Sequence, residues 1–416
     1  MARSIIRIIS IILVLLIFSA LSCKGGKPAK TPEPTPGGLS GPGAGLGRYA
    51  YDVPTPFTDV GTLDMPRMVR TSSGDVQLVY IVNSQGSHRV MYTRLEKGQF
   101  RQPSILSQEE GRKLGGGYLA SGAGNNFIAY WINVEPTGGQ LRYKESSNGG
   151  KSFTLESKWN RLKEIRWPLM IPVGDRMIGY YFTEDREGWK MVVGATPGSG
   201  ENEPVVDIVQ GTPFNLQGVT DSRNMVRLMY FTRVESSDGR RLAFLSSDDG
   251  GATFSRKYLF DDRVIPNRSS FFAFDRSVSG KDEVLHLIFA EETEEYTTLY
   301  YSRSEDGGIN FTTPVQLVQS DEPLTSSPLL MANKDYVFIA TADAQDDGPA
   351  LRYLISEDMG KSFEPPAVAT RSVGNPETIA GIIDNNGRVI LVWDDLANTK
   401  ESGECLYKLE GTLRGQ

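Results

Sequence analysis

The chain has 416 residues, a formal net charge of −7, two cysteines and two histidines. An excess of acidic residues disfavours nucleic acid and anionic lipid surfaces as partners, because both carry negative charge themselves. The two histidines, His88 and His286, are too few and too far apart to suggest a metal site. We therefore predict no metal and no other cofactor, and a fold that holds without disulfides or zinc.

The first 22 residues have the composition of a signal peptide. Arg3 and Arg7 precede an apolar run, residues 8–18, which is too short for a stable membrane span. The following Ala20-Leu21-Ser22-Cys23 resembles a bacterial lipobox, although that motif usually has leucine where Ala20 stands. We predict cleavage before Cys23 and acylation of Cys23, with ordinary secretory cleavage as the alternative. Removal of the two arginines takes the net charge from −7 to −9.

The acyl chains would attach the protein to the cell envelope. Lys24 follows the cysteine in place of an inner-membrane retention aspartate, which favours the outer membrane if the organism has one. Residues 23–48 are rich in Pro, Gly, Ser and Thr without apolar periodicity, so we predict a flexible tether. With Cys23 acylated, Cys405 has no disulfide partner and is predicted to be a buried, inert thiol.

An eight-residue motif, called here the recurring phrase, occurs four times in the rest of the chain, at residues 146–153, 247–254, 304–311 and 356–363. Its common form is S-x-[D/N]-x-G-x-[S/T/N]-F, and each copy follows a strand-like run. An Asp or Asn oxygen can accept backbone N–H groups two residues on, glycine allows a positive φ, and phenylalanine can pack the loop onto the sheet. The phrase therefore predicts a hairpin corner whose defining residues are Asn148, Gly150, Phe153, Asp249, Gly251, Phe254, Asp306, Gly308, Phe311, Asp358, Gly360 and Phe363.

This phrase is similar to the Asp-box, or BNR repeat, of the sialidase-like β-propellers. The resemblance covers roughly residues 60–410. It implies an all-β propeller of four-stranded antiparallel blades, with each box between the third and fourth strands, on the face opposite the ligand site. The boxes thus indicate the fold and say little about chemistry.

Residues 49–416 divide into seven units of short strand-like runs, which favours a single propeller domain of seven blades. The first unit has a degenerate copy of the Asp-box, which ends at Phe100. In the third unit a Gly/Pro-rich turn, residues 196–200, occupies the place where an Asp-box is expected. The seventh unit is one strand short. We predict that residues 49–53 supply that strand and close the ring, because closure leaves no free sheet edge. Six blades with an appended hairpin are the alternative.

Function is expected on the face opposite the boxes, which collects the starts of the innermost strands and the loops between second and third strands. Aromatic rings, arginines and amides at these positions suit a sugar or peptide surface. The predicted ligand-binding residues are Arg67, Trp131, Trp167, Trp189, Asn215 and Arg268.

The resemblance to sialidases also implies a test for catalysis. Sialidases hold the substrate carboxylate with three arginines and use a Tyr–Glu nucleophile with an Asp acid/base. Here Arg67 and Arg268 can match two of the arginines, while Asp185 as acid and Tyr181 as nucleophile match by position alone. No arginine stands at the corresponding positions of the last two units.

We therefore predict a monomeric, lipid-anchored propeller that binds a glycan or a protein partner. A sialidase-type hydrolase is the alternative, and an envelope scaffold is a third hypothesis.

Overall fold

The computed structural model shows a ring of seven antiparallel β-sheets, each forming one blade. It describes residues 47–58, 62–84, 87–107, 113–135, 138–163, 165–194, 204–233, 239–260, 265–266, 271–321, 324, 326–343, 349–371, 373, 376, 378–395 and 405–414. The predicted signal peptide, Cys23 and nearly all of the tether lie outside these residues. Among the described residues, no helix has the length and apolar character needed to cross a membrane.

The strands follow the chain from the inside of each blade outward. Blade 1 consists of β3 (Thr62–Arg70), β4 (Val76–Ser84), β5 (Ser87–Glu96), β6 (Gln99–Phe100) and β7 (Ser104–Ile105). Blade 2 consists of β8 (Lys113–Ser121), β9 (Phe127–Glu135), β10 (Gly138–Ser146) and β11 (Ser157–Lys163). Blade 3 consists of β12 (Arg166–Val173), β13 (Arg176–Asp185), β14 (Gly188–Gly194) and β15 (Val205–Ile208). Blade 4 consists of β16 (Pro213–Thr220), β17 (Val226–Arg233), β18 (Gly239–Ser247), β19 (Ser255–Leu259) and β20 (Ile265–Pro266).

The last three blades complete the ring. Blade 5 consists of β21 (Phe272–Ser279), β22 (Asp282–Glu292), β23 (Thr297–Ser304) and β24 (Val315–Ser320). Blade 6 consists of β25 (Leu329–Asn333), β26 (Tyr336–Asp343), β27 (Ala350–Ser356) and β28 (Ala367–Thr370). Blade 7 consists of β29 (Ile379–Ile383), β30 (Val389–Asp395) and β31 (Cys405–Leu413), joined by β1 (Tyr49–Tyr51) and β2 (Thr55–Pro56).

The N-terminal strand closes blade 7, which confirms the predicted ring closure and the seven blades. β1 pairs antiparallel with β31, with Tyr49 opposite Leu413 and Tyr51 opposite Gly411. Tyr49 is buried, donates a 2.6 Å hydrogen bond to the Gly387 carbonyl, and packs edge-on against Tyr353. The first and last strands of the domain thus hold each other in one sheet.

The hydrophobic core lies between blades. Each pair of neighbouring blades shares its own apolar clusters, so the hydrophobic core of the described residues is divided around the ring. A second strand such as β17 is therefore covered on both faces, and residues 226–232 are all buried. This explains why the second strands of the blades read as continuous apolar runs.

The four recurring turns share one hydrogen-bond pattern. In the second blade, Ser146 Oγ accepts the Gly150 N–H at 2.9 Å, and Asn148 Oδ1 accepts the Ser152 N–H at 3.0 Å. The other three turns repeat both bonds at 2.8–2.9 Å. The Asp or Asn oxygen thus binds the N–H four residues on, which corrects the prediction of two.

The phenylalanine of each turn packs on the preceding blade. We predicted packing on its own sheet, and Phe153 also meets Phe127 of its own blade edge-on. Each ring meets an aromatic ring of the preceding blade edge-on, with centroids 4.8–5.7 Å apart. The four pairs are Phe153–Tyr92, Phe254–Tyr180, Phe311–Phe244 and Phe363–Tyr301. The turns are therefore joints between blades as well as hairpin corners.

Candidate functional site

The ring of blades has two faces. The recurring turns lie on one face, called here the box face. The starts of the innermost strands and the loops between second and third strands lie on the other, called the far face.

A large cleft lies on the box face, between blades 4, 5 and 6. It has a volume of about 710 Å³ and a lining of charged side chains of both signs. Its arginines bind backbone of the next blade: Arg227 Nε donates to the Gly307 carbonyl at 2.8 Å, and Arg303 Nη1 to the Met359 carbonyl at 3.1 Å. The cleft is thus built from contacts that join blades.

The far face is marked by irregularities in four innermost strands. Their pairing with the second strand shifts register between Asp64 and Arg67 in blade 1, and at the corresponding place in blades 2, 3 and 4. The bulges contain Gly116 at φ +147°, Trp167 at φ +52° and Asn215 at φ +52°. The pairs β21–β22, β25–β26 and β29–β30 run without a shift. Bulges are frequent next to binding sites because they redirect side chains.

The four bulged segments, on blades 1 to 4, are together called here the arc. Trp167 is the most unusual residue of the arc. A bulky side chain in the left-handed region is strained, and such strain persists only where the surrounding structure imposes it. Its indole is 42% exposed, whereas the other tryptophans in the described strands are buried. The preceding Arg166 places its guanidinium 4.7 Å from the ring centroid of Trp189. Blade 3 therefore presents an exposed aromatic ring on the far face, next in sequence to an arginine that packs on Trp189.

Arg67 belongs to the same arc, on blade 1. Its side chain is exposed, and Nη1 donates to the neighbouring Pro66 carbonyl at 3.2 Å. Burial raises the pKa of Tyr130 on blade 2, and the positive charge of Arg67 acts in the opposite direction. That interaction places Arg67 near Tyr130. Residues 115–117 of β8 are all glycines and present no side chains.

Asn215 contributes to the arc through a bridge to blade 5. Its Nδ2 donates to the Phe272 carbonyl at 3.2 Å, and its Oδ1 accepts from Gln217 Nε2 at 3.2 Å. The Gln217 amide also binds the Phe272 carbonyl and the Phe274 N–H, each at 2.9 Å. These bonds fix the Asn215 amide where the innermost strands of blades 4 and 5 approach each other.

Other predicted residues do not reach the arc. Trp131 is fully buried and packs between blades 1 and 2, which corrects its assignment to ligand binding. Trp189 is 8% exposed and acts as the platform for Arg166, so the aromatic surface at this place is Trp167 alone. Arg268 lies outside the described residues.

The two candidate catalytic residues on blade 3 lie in different environments, one buried and one exposed. Tyr181 is 1% exposed in the core between blades 2 and 3, so its hydroxyl cannot reach a substrate on the far face. Asp185 lies in solvent, and the bond from Lys190 Nζ at 2.8 Å lowers the pKa of its carboxyl. A carboxylate stabilised in its charged form is a poor proton donor at neutral pH.

Blade 5 contains a buried polar chain that the sequence did not reveal. His286 Nε2 lies 2.7 Å from Ser277 Oγ, and Nδ1 lies 2.8 Å from the Tyr301 hydroxyl. Burial lowers the pKa of His286 to about 3, so the imidazole is neutral and structural. Asp275, directly opposite His286 in the pairing, accepts the Ala332 N–H of blade 6 at 2.8 Å.

No signal in the sequence marks the bulges or the Ser277–His286–Tyr301 chain. Among the described residues there is also no group of three His, Cys, Asp or Glu side chains that could hold a metal ion. Cys405 is half-buried, which corrects the prediction of a buried thiol.

Comparisons with known proteins support the fold. No family model matches the chain, and no curated protein matches it. A Dyadobacter fermentans protein of unknown function is similar in structure, with a TM-score of 0.52, 13% identity, and coverage of 89% of this chain and 100% of that chain. An ulvan lyase of polysaccharide lyase family 25 gives a TM-score of 0.59 and 10% identity, covering 85% of this chain and 95% of that one.

A Trypanosoma rangeli sialidase is also similar, with a TM-score of 0.45 and 9% identity over 84% of this chain and 55% of that one. The similarities to the Dyadobacter protein and to the ulvan lyase, both with TM-scores above 0.5, support the fold alone.

Proposed function

We propose that this propeller binds a glycan on its far face, with Arg67, Trp167 and Asn215 forming the contact surface. The observation that carries the proposal is the exposed indole of Trp167, held at φ +52° by a bulge of the innermost strand. An exposed flat apolar surface with convergent polar groups is what a sugar ring requires, since it offers C–H bonds on its faces and hydroxyls at its edge.

The shared architecture adds general support. The propeller fold occurs in a polysaccharide lyase that was solved bound to a GlcA(1-4)Rha3S glycan, and in glycoside hydrolases. Fold alone does not determine function, so the residues of the arc carry the argument. We further propose that acylated Cys23 holds the protein at the cell envelope, where glycans are abundant.

The test is a glycan array probed with the purified protein and with Trp167→Gly. This substitution removes the indole, and glycine accepts the positive φ of the position without strain. We expect the wild-type protein to bind at least one glycan class and the variant to lose that binding about tenfold or more. Ile309→Ala is the matched control, because Ile309 is 73% exposed on the box face.

Hydrolysis of a fluorogenic sialoside distinguishes the hydrolase alternative. Turnover that disappears in Arg67→Ala would replace binding by catalysis and place the substrate carboxylate at Arg67. Binding that is unchanged in Trp167→Gly would refute the proposed contact surface.

A further inference from the structure

The chain contains two Asn-Gly pairs, Asn148-Gly149 and Asn386-Gly387. Both lie in turns on the box face, the first in the recurring turn of blade 2 and the second between β29 and β30 of blade 7. An asparagine before glycine loses its side-chain amide spontaneously with particular ease, because glycine has no Cβ to hinder attack by its backbone nitrogen. The two pairs therefore offer the same local chemistry in different surroundings.

The structure holds the first amide in place. Asn148 Nδ2 donates to Ser152 Oγ at 2.7 Å, and Asn148 Oδ1 accepts the Ser152 N–H at 3.0 Å. The Ser146 hydroxyl donates to the same Oδ1 at 3.1 Å. A rotation that brings Cγ of Asn148 onto the Gly149 nitrogen disrupts these bonds, so the fold opposes the reaction at this pair.

The second amide lacks this restraint. Asn386 is exposed, and among the residues that the structure describes its side-chain amide has no hydrogen-bond partner, whereas its backbone N–H donates to Asp384 Oδ1 at 2.8 Å. The two glycine nitrogens are restrained alike, since the Gly387 N–H donates to the Asp384 carbonyl at 3.1 Å and the Gly149 N–H to the Asn125 carbonyl at 3.2 Å. The difference between the pairs therefore lies in the asparagine side chain.

Gly387 is also a joint of the ring closure. Its carbonyl accepts the hydrogen bond of the Tyr49 hydroxyl at 2.6 Å. A Cβ on Gly387 would lie 2.5 Å from Leu413 Cδ1 on β31 and 3.0 Å from Tyr336 Cε1 on blade 6. The glycine is thus closely surrounded where the closing strands meet blade 6, and a change in the length of the main chain before it has to move these contacts.

We propose that Asn386 is a site of spontaneous deamidation that loosens the closure of the ring. The Gly387 nitrogen bonds to Cγ of Asn386, and the side-chain nitrogen leaves with the proton of the Gly387 N–H as ammonia, so that a succinimide ring joins the two residues. Water then opens the ring at either of its carbonyls and gives aspartate or isoaspartate at position 386. Isoaspartate adds one carbon atom to the main chain before Gly387, which displaces the Gly387 carbonyl from the Tyr49 hydroxyl. Both products place a negative charge beside the carboxylate of Asp384.

The site is tested by incubating the purified protein at mildly alkaline pH, folded and in urea, and by mapping its peptides with mass spectrometry. In the folded protein we expect Asn386 to react about tenfold or more faster than Asn148, because the reaction at Asn148 must break hydrogen bonds that together contribute about this factor. In urea both pairs are unfolded, and we expect them to react at similar rates. Equal rates in the folded protein, or the same excess at Asn386 in urea, would overturn the proposal.

The effect on ring closure is tested with Asn386→Gln, which keeps an exposed amide but closes the larger ring of a glutamine far more slowly. After the same incubation, urea unfolding should show a loss of stability in the unsubstituted protein and none in Asn386→Gln. The loss should be smaller in Tyr49→Phe, where the bond to the Gly387 carbonyl is already absent. Deamidation at Asn386 without a loss of stability, or an equal loss in Asn386→Gln, would overturn the effect on closure. Thermal unfolding by circular dichroism verifies that each variant is folded before incubation.

Discussion

A pair of alanine substitutions in one recurring turn tests whether these turns join blades. Gly250 and Gly251 are adjacent in blade 4 and have φ values of +71° and +88°. An alanine in the left-handed region costs about 1–2 kcal/mol at either position. Any further difference between the two variants must come from the space around the added methyl group.

The space available to a methyl group differs between Gly250 and Gly251. A Cβ on Gly250 would lie 3.6 Å from Val173 Cγ1, which is ordinary van der Waals contact. A Cβ on Gly251 would overlap the hydroxyl of Tyr180 on blade 3. Overpacking of this kind costs about 1–3 kcal/mol. We therefore expect the free energy of unfolding to fall by about 1–2 kcal/mol in Gly250→Ala and by about 2–5 kcal/mol in Gly251→Ala.

A second substitution should rescue the larger loss. The Tyr180 hydroxyl is buried and has no hydrogen-bond partner among the described residues. Tyr180→Phe removes it and leaves the nearest ring atom 3.5 Å from the new methyl group. The double variant Gly251→Ala/Tyr180→Phe should therefore be about as stable as Gly250→Ala. Urea unfolding followed by tryptophan fluorescence measures all four proteins, and equal losses at both glycines, or no rescue, would refute the reasoning.

Three further predictions concern titration and ring closure. Although Asp275 keeps part of its accessible surface, burial raises the pKa of its carboxyl from 3.8 to about 6. Because the folded state then holds more protons between these values, the contribution of Asp275 to stability should rise as pH falls from 6 to 4, and Asp275→Asn should lack this contribution in urea titrations beside the unsubstituted protein. The contribution of His286 has the opposite sign: its pKa of about 3 lies below 6.5, so this contribution should fall as pH drops through that window, by at most about 1.4 kcal/mol per pH unit, and the fall should be absent in His286→Gln. Tyr49→Ala should cost about 3–5 kcal/mol by urea unfolding because it removes a buried ring and its bond to Gly387, whereas Val53→Ala, 77% exposed, should be neutral.

The sequence predicted the architecture because the architecture repeats. Four copies of one turn fix the position of the third and fourth strands in four blades, and regular spacing places the remaining strands between them. Ring closure was predictable from a missing strand at one end of the domain and a spare strand-like run, beginning at Tyr49, at the other. These inferences depend on local patterns and on the need to cover sheet edges.

The candidate site was only partly predictable. Arg67, Trp167 and Asn215 were named from their positions at the starts of innermost strands, and the structure places all three beside bulges. Trp131 and Trp167 could not be told apart from sequence, since each adjoins a strand. The burial of Trp131 depends on the neighbouring blade, and the exposure of Trp167 depends on a bulge that no local pattern announces. Arg233 and Arg240 lie opposite each other because of the register of β17 and β18, and composition does not give that register.

The distribution of strain supports the proposed binding on the far face. On the box face, most positive φ angles are taken by glycines, and the exceptions are Lys97, Asn224, Lys334 and Met359. On the far face, Trp167 occupies the same region of φ with a bulky side chain exposed to solvent. The innermost strands of blades 5, 6 and 7 pair without any shift, so the ring itself does not require bulges. Strain that the fold does not need is expected where a ligand provides the compensating interaction. The exposed ring of Trp167 is therefore better explained by binding than by packing.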